Sequence, residues 1–174
     1  RDQDTAEMAF RAAMTGHQVY STLHTNSALG AVPRLLDLGV LPDIMADNII
    51  GVIGQRLVRK LCPVCKAPYT PNDTERQLLG MTPEQKDQTI YRAVGCEECD
   101  HRGYKGRLSL MEIIRMEGYL EALIAERANI HVLKQQAIEH GFSSLAEDGS
   151  RRVLEGITSL DEVSRVINMT DRIA

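Results

Sequence analysis

Two identically spaced cysteine pairs constrain this chain more than any other feature. The first pair is Cys62 and Cys65, the second is Cys96 and Cys99, and the sequence contains no other cysteine. A C-x-x-C pair brings two thiolates within reach of one metal ion, and two pairs supply the four sulfurs of a tetrahedral structural zinc site. The sequence therefore predicts one structural zinc held by all four cysteines, with no open ligand position.

The stretch between the pairs, residues 66–95, is longer than the usual spacing in a zinc ribbon. Either a folded insert lies within this stretch, or the metal joins two distant parts of one domain. Residues 74–79 predict one short helix there.

Other uses of the cysteines remain open at this point. Disulfides need an oxidising compartment, and the first residues, Arg1 to Asp4, are not followed by the apolar run of a signal peptide. A redox dithiol is typically a single C-x-x-C at the start of a helix. His101 could replace a cysteine as a ligand, but four sulfurs leave no vacancy, so we interpret it as a surface residue.

Composition limits the class of protein. The 174 residues are 43% hydrophobic, enough for one domain or two small ones, and no stretch has the length and hydrophobicity of a membrane span. We expect a soluble, cytoplasmic protein. A net charge of −4 and 4% aromatic residues disfavour nucleic acid as a partner.

The first 60 residues predict alternating helices and a strand. A capping box at Asp4 to Glu7 predicts the start of a helix, and residues 18–23 predict a strand that places His24 at its carboxyl end. Pro33 starts or kinks the next helix. Pro42 then begins a longer helix that we expect to continue to Leu57.

The last third of the chain predicts one strand followed by helices. We expect a strand at residues 108–114 and helices at residues 119–126 and 130–140. A second capping box, from Ser159 to Glu162, predicts the final helix.

Several short motifs, taken together, resemble one family over essentially the whole chain. The chain is similar to the C-terminal part of the ATPases of type II secretion and type IV pilus assembly, in the branch that carries a zinc-binding tetracysteine motif. The motifs that carry the resemblance are Arg1-Asp2 with Thr5-Ala6, Thr15-Gly16-His17, residues 21–26, residues 54–57 with Cys62-Pro63, and residues 103–107.

The resemblance implies an α/β fold class. Residues 1–60 would form the C-terminal part of a RecA-like P-loop ATPase core, containing the end of the Walker B segment and a histidine box. Residues 61–107 would form a tetracysteine zinc-binding subdomain, and residues 108–174 a small, mainly helical C-terminal subdomain.

The resemblance also implies roles in ATP hydrolysis. His24 and His17 would face the γ-phosphate as catalytic residues, and Arg56 would contact the nucleotide near adenine or ribose. From the residues alone, His24 could equally cap a helix or lie in a core, His17 could be a turn residue, and Arg56 could lie on a solvated face. The chain has no G-x-x-x-x-G-K-[ST] phosphate loop, so ATP and Mg²⁺ would need an intact parent protein, and this fragment alone should be inactive.

The implied parent is a homo-hexameric cytoplasmic motor that couples ATP hydrolysis to type II protein secretion or type IV pilus assembly. It would act on an inner-membrane platform protein, would meet the membrane only through such partners, and would not bind nucleic acid. The alternatives are a zinc-ribbon-like binding module for protein or nucleic acid, and a redox-sensing cysteine protein.

Overall fold

The computed structural model describes residues 2–85 and 87–172, so Arg1 of the predicted Walker B end lies outside the described residues. Eight helices and four strands are present within these ranges. They are α1 (Gln3–Met14), α2 (Ala31–Asp37), α3 (Pro42–Asn48), β1 (Gly51–Leu61), β2 (Ala67–Tyr69), α4 (Asp73–Leu79), β3 (Ile90–Arg92), β4 (Tyr104–Arg115), α5 (Gly118–Ala125), α6 (Ile130–Glu139), α7 (Leu145–Leu154) and α8 (Leu160–Val166), with 3₁₀ turns at Pro83–Gln85, Glu97–Cys99 and Met169–Arg172.

Helix α1 begins earlier than the sequence predicted. Its N-cap is Asp2, whose carboxylate accepts a hydrogen bond from the backbone N–H of Thr5 at 2.8 Å, so the predicted cap at Asp4 is wrong. Asp4 instead lies in the first turn, where its charge favours the positive end of the helix dipole. The helix ends before Gly16, and Gly16 adopts the left-handed conformation (φ +86°) that commonly follows a helix.

The predicted strand at residues 18–23 is not formed. Residues 17–25 have neither helical nor strand geometry, and Tyr20 is 86% exposed. A strand needs a hydrogen-bonded neighbour, and the two described sheets pair only β1 with β4 and β2 with β3. His24 therefore does not lie at a strand end in this structure.

Pro33 lies in the first turn of α2, two residues after the helix begins in the structure. It is the third residue of that helix, where its missing N–H removes no intrahelical hydrogen bond.

The long helix predicted from Pro42 to Leu57 is wrong in its second half, because α3 ends at Asn48 and β1 follows. Burial alternates along β1, with Ile53 62% exposed while its neighbours are more buried. A Cβ at Gly54 would lie 2.7 Å from the Glu112 side chain, so only glycine fits at this approach between β1 and β4. Gly51 and Gly54 also disfavour a helix at these positions.

Strand β4 confirms the predicted strand at residues 108–114 and extends it at both ends. It pairs with β1 in an antiparallel sense, since Gly51 lies beside Ile114 while Gly106 lies beside Lys60.

The chain packs into two compact units. One combines Arg1–Gly54 with Glu112–Ser143, and the other combines Gln55–Met111 with Ser144–Ala174. Each has its own core: Met45, Leu120 and Leu133 are buried in the first, and Val58 and Val163 in the second. The packing thus joins segments that are distant in sequence, whereas the division predicted from motifs runs in chain order, with boundaries at residues 60 and 107.

The C-terminal helices largely follow the sequence. Helices α5 and α6 confirm the two predicted helices, and the Ser159 hydroxyl caps α8 by accepting from the N–H of Glu162. Helix α7 was missed, although Ser144 and Glu147 form a complete capping box in front of it. No described helix has both the length and the hydrophobicity needed to cross a membrane.

Candidate metal centre

The four predicted cysteines meet at one point of the second unit. The Sγ atoms of Cys62 and Cys96 are 4.0 Å apart, those of Cys65 and Cys99 are 3.8 Å apart, and those of Cys96 and Cys99 are also 3.8 Å apart. All four Sγ atoms lie within 4.8 Å of one another. Elsewhere in the described ranges, no other group of three or more histidine, cysteine or acidic side chains converges in this way.

These distances fit a tetrahedral thiolate site. A Zn–S bond of about 2.3 Å places the sulfurs of a regular tetrahedron about 3.8 Å apart. No two sulfurs are bonded, because a disulfide would bring them to about 2.05 Å. The four sulfurs could therefore hold one metal ion, and their chemistry and spacing fit zinc.

Backbone N–H groups point at the sulfurs. The N–H of Gly95 donates to Cys65 Sγ at 3.3 Å, and the N–H groups of Cys96 and Gly103 donate to Cys99 Sγ at 3.3 and 3.2 Å. Such donors stabilise the thiolate form that binds a metal.

Gly103 is required by this geometry. Its φ of +74° is left-handed, and a Cβ there would lie 2.7 Å from the Cβ of Ala93. In this conformation its N–H reaches Cys99 Sγ while its carbonyl accepts from the N–H of Cys62 at 3.0 Å. One residue thus ties the two cysteine pairs together.

The surroundings shift the thiol pKa values in opposite directions. Burial opposes the charged form of Cys99, but the backbone N–H groups of Cys96 and Gly103 outweigh it and lower the Cys99 pKa from 9.0 to about 7. Burial, together with hydrogen bonds to the Cys65 and Cys99 thiols, raises the pKa of Cys96 to about 12. Binding of a divalent cation must therefore displace protons from this cluster at neutral pH.

Residues 66–95 form a folded insert, which is the first of the two alternatives that the sequence left open. Strands β2 and β3 pair in antiparallel fashion with Ala67 opposite Arg92. Helix α4 lies between them and confirms the short predicted helix, with a capping box formed by Asn72 and Glu75. The two strands bring the two cysteine pairs towards each other.

Residues 156–158 hold the chain around the first cysteine pair, residues 59–66, in place. The carbonyl of Ile157 accepts from the N–H of Leu61 at 2.8 Å, and the carbonyl of Gly156 accepts from Lys66 Nζ at 2.8 Å. The hydroxyl of Thr158 donates to the carbonyl of Arg59 at 2.8 Å. Sequence reasoning missed this support, because no motif in residues 156–158 indicates a contact with β1.

His101 is an exposed residue outside the set of four sulfurs, as predicted. It adopts a left-handed conformation (φ 58°), and its backbone N–H donates to the carbonyl of Cys96 at 2.8 Å. Its contribution to the site is made by the backbone.

All three residues that were predicted to act on the nucleotide lie within the described part of the chain. His17 is exposed after α1, with Nδ1 3.0 Å from the hydroxyl of Thr15, and His24 is exposed in the irregular segment. Arg56 lies on β1 in the second unit and donates from Nη1 to the carbonyl of Gln55 at 2.9 Å. Their roles in catalysis and nucleotide binding stay predictions.

The sequence matches the family described as "Type II/IV secretion system protein" over residues 1–165. It is 45% identical over 166 residues to the type II secretion system protein E of Pseudomonas aeruginosa, covering 95% of this chain and 33% of that protein. It is 46% identical over 171 residues to the type IV pilus assembly ATPase TfpB of Acinetobacter baylyi, covering 98% and 29%. The chain therefore spans about a third of the length of these relatives.

Solved structures show the same fold at lower identity. The ATPase DotB of Legionella pneumophila superposes with a TM-score of 0.60 at 18% identity, covering 95% of this chain and 36% of that one. The pilus retraction motor PilT with bound ADP gives a TM-score of 0.61 at 22% identity, with 95% and 36% covered. These likenesses support an α/β ATPase-like fold.

Proposed function

Because the chain belongs to the type II/IV secretion system protein family, we propose that it is the C-terminal part of a motor ATPase for type II secretion or type IV pilus assembly. The observation that carries the proposal is 45–46% identity, over at least 95% of the chain, to proteins named for those two systems. The tetracysteine cluster is a second support, because the branch of the family that the chain resembles carries a tetracysteine motif.

The metal in this proposal is structural zinc. Four sulfurs at tetrahedral spacing fill its coordination, which leaves no position for a reacting water. The ion would stabilise the second unit, while the chemistry would take place elsewhere in the parent protein.

ATP hydrolysis in this proposal needs more than these 174 residues. Phosphoryl transfer depends on a phosphate cradle, Mg²⁺ and a positioned base, and the chain has no phosphate-loop motif. His24 and His17 would approach the γ-phosphate, and Arg56 the adenine or ribose. The exposed apolar residues of the segment before His24, including Val19 and Tyr20, fit a strand that forms only beside a neighbouring strand.

The proposed parent works as a homo-hexameric ring in the cytoplasm and pushes on an inner-membrane platform protein. We propose no nucleic-acid partner, because the chain carries a net charge of −4.

A chimera tests this function. The 174 residues replace the matched region of the P. aeruginosa relative, which then supplies the phosphate loop, and steady-state ATP hydrolysis is compared with that of the unmodified relative. We expect a hexamer with turnover within about tenfold of that reference, since most contacts to the phosphates come from the unchanged part.

The control is the same chimera with its phosphate-loop lysine replaced by alanine, which should be inactive. A folded, zinc-loaded chimera without activity would contradict the proposal and favour the alternative, a zinc-ribbon-like binding module.

A further inference from the structure

A small depression beside the metal centre is lined mainly by arginines. Its volume is about 240 Å³, and its lining residues are Arg59, Arg102, Tyr104, Gly106 and Arg107. The side chain of Lys60 approaches the lining residue Gly106, because a Cβ built at Gly106 would lie 3.9 Å from Lys60 Cδ. All of these residues belong to the second unit.

The depression is positively charged although the chain as a whole is negative. Glu162 is shared between Arg59 and Arg165, which leaves one surplus positive charge, and Asp100 neutralises Arg102. The side chains of Arg107 and Lys60 meet no carboxylate within residues 2–85 and 87–170. These side chains carry three positive charges, and the four thiolates with a bound zinc ion would carry two negative charges, so the local balance is one positive charge in a protein of net charge −4.

One guanidinium in the depression is held in place before any ligand arrives. Arg59 Nε and Nη2 both donate to Glu162 Oε2, at 3.0 and 2.5 Å, and its Cζ lies 4.1 Å from the centre of the Tyr104 ring. The hydroxyl of Tyr104 is in turn 2.7 Å from that of Ser159. A fixed guanidinium loses little conformational entropy when it binds an anion.

We propose that this depression binds a phosphate group. Guanidinium groups match the oxygens of phosphate in geometry and charge, and three arginines, two of them also paired with carboxylates, line one small volume that fits a compact anion. A nucleobase does not fit as well, because Arg59 already stacks on Tyr104, the only aromatic ring in the lining.

The phosphate has two sources, free phosphate in solution and the headgroup of an anionic phospholipid, and the test separates them. In the first arm, the ¹⁵N-labelled, zinc-loaded chain is titrated with sodium phosphate, against sodium chloride at equal ionic strength. We expect saturable shifts of the Tyr104 and Gly106 amide resonances with phosphate and no such shifts with chloride.

In the second arm, the chain is floated with vesicles of phosphatidylglycerol and phosphatidylcholine, or of phosphatidylcholine alone.

The test variant is Arg107→Gln with Lys60→Gln, which removes the two unpaired cations and leaves Arg59 and Glu162 unchanged. Phosphate affinity should fall by roughly tenfold or more, the scale of a lost charge-assisted hydrogen bond. The matched control is Arg115→Gln, since Arg115 is also exposed on β4 but does not line the depression. It should bind like the wild type.

Saturable shifts with free phosphate, or flotation only with phosphatidylglycerol, each support the proposal if the double variant loses the effect. Binding to neither source overturns it, as does a double variant that remains folded and binds like the wild type.

Discussion

Glu162 in α8 binds Arg59 in β1, 103 residues earlier, through three hydrogen bonds, two of them from the guanidinium and one from the backbone N–H. Arg165 donates two more, from Nε and Nη2, so one carboxylate with no exposed side-chain surface serves two arginines. This contact fixes the last helix against the strand that leads to Cys62.

Replacing Glu162 with glutamine should destabilise the protein at pH 7 by about 1–3 kcal/mol, since a charged acceptor of several hydrogen bonds becomes a neutral one. Urea denaturation measures the change. Glu7→Gln is the control, because its ion pair with Arg11 is exposed and should contribute under about 0.5 kcal/mol. Equal stability of Glu162→Gln and the wild type would contradict the interpretation.

The same pair predicts a pH dependence. Burial opposes ionisation of Glu162, but hydrogen bonds from Arg165 and Arg59 outweigh it and lower its pKa from 4.5 to about 2. Its contribution is therefore complete above pH 4.5 and is lost as the pH falls towards 2. The stability difference between the wild type and Glu162→Gln should shrink across that window, and a difference that grows there would refute the assignment.

The purified chain should contain one zinc ion, measurable by elemental analysis. Structural zinc sites contribute roughly 10–16 kcal/mol of binding free energy at neutral pH, so Cys99→Ser or chelation should unfold the second unit. The amide resonances of Gly95 and Gly103 should report the unfolding, because both N–H groups donate to cysteine sulfurs. Near-zero metal in protein prepared without chelator or oxidant, or disulfides in its place, would show that the site is not a zinc centre.

Gly54→Ala distinguishes strand from helix at residues 51–57 by the sign of its effect. In the observed strand the new methyl group meets Glu112, and we expect a loss of about 1–3 kcal/mol. In a helix the same change would stabilise by about 1 kcal/mol. Gly118→Ala is the control, since no atom lies within 4 Å of its Cβ position, and it should not destabilise.

The chain alone should neither hydrolyse ATP nor bind it tightly, because it has no phosphate-loop motif. Titration calorimetry with Mg-ATP decides this. Micromolar affinity would mean that the chain holds a complete nucleotide site.

His24→Ala in the chimera should lower turnover by about 10 to 1,000-fold, with little change in nucleotide affinity or melting temperature, if the imidazole stabilises charge on the transferred phosphoryl group. His17→Ala is the comparison and should have a smaller effect. Unfolding of the His24 variant with normal turnover per folded molecule would instead assign a structural role.

The sequence was sufficient for the features that depend on local chemistry. The C-x-x-C spacing identified all four sulfurs of the cluster, and the hydroxyl of Ser159 marked the start of α8. Gly16 and Gly141, both left-handed, follow the ends of α1 and α6, as local chemistry favours.

The secondary-structure predictions were wrong where contacts with residues distant in sequence determine the structure. Residues 51–57 fit both a helical and an alternating pattern, and pairing with β4 selects the strand. Residues 18–23 have strand composition but no neighbouring strand in the described structure. The contact between Glu162 and Arg59 gives no signal in either local sequence.

The hydrogen bonds that the carbonyls of Ile157 and Gly156 accept from Leu61 and Lys66 also bear on the order of events during synthesis. The ribosome releases both cysteine pairs before it releases these acceptors, so the sulfurs are available for metal before their scaffold is complete. We expect a nascent chain that ends before residue 156 to capture zinc yet leave β1 without its support. Because such contacts close a long stretch of chain, this unit should mature slowly and late.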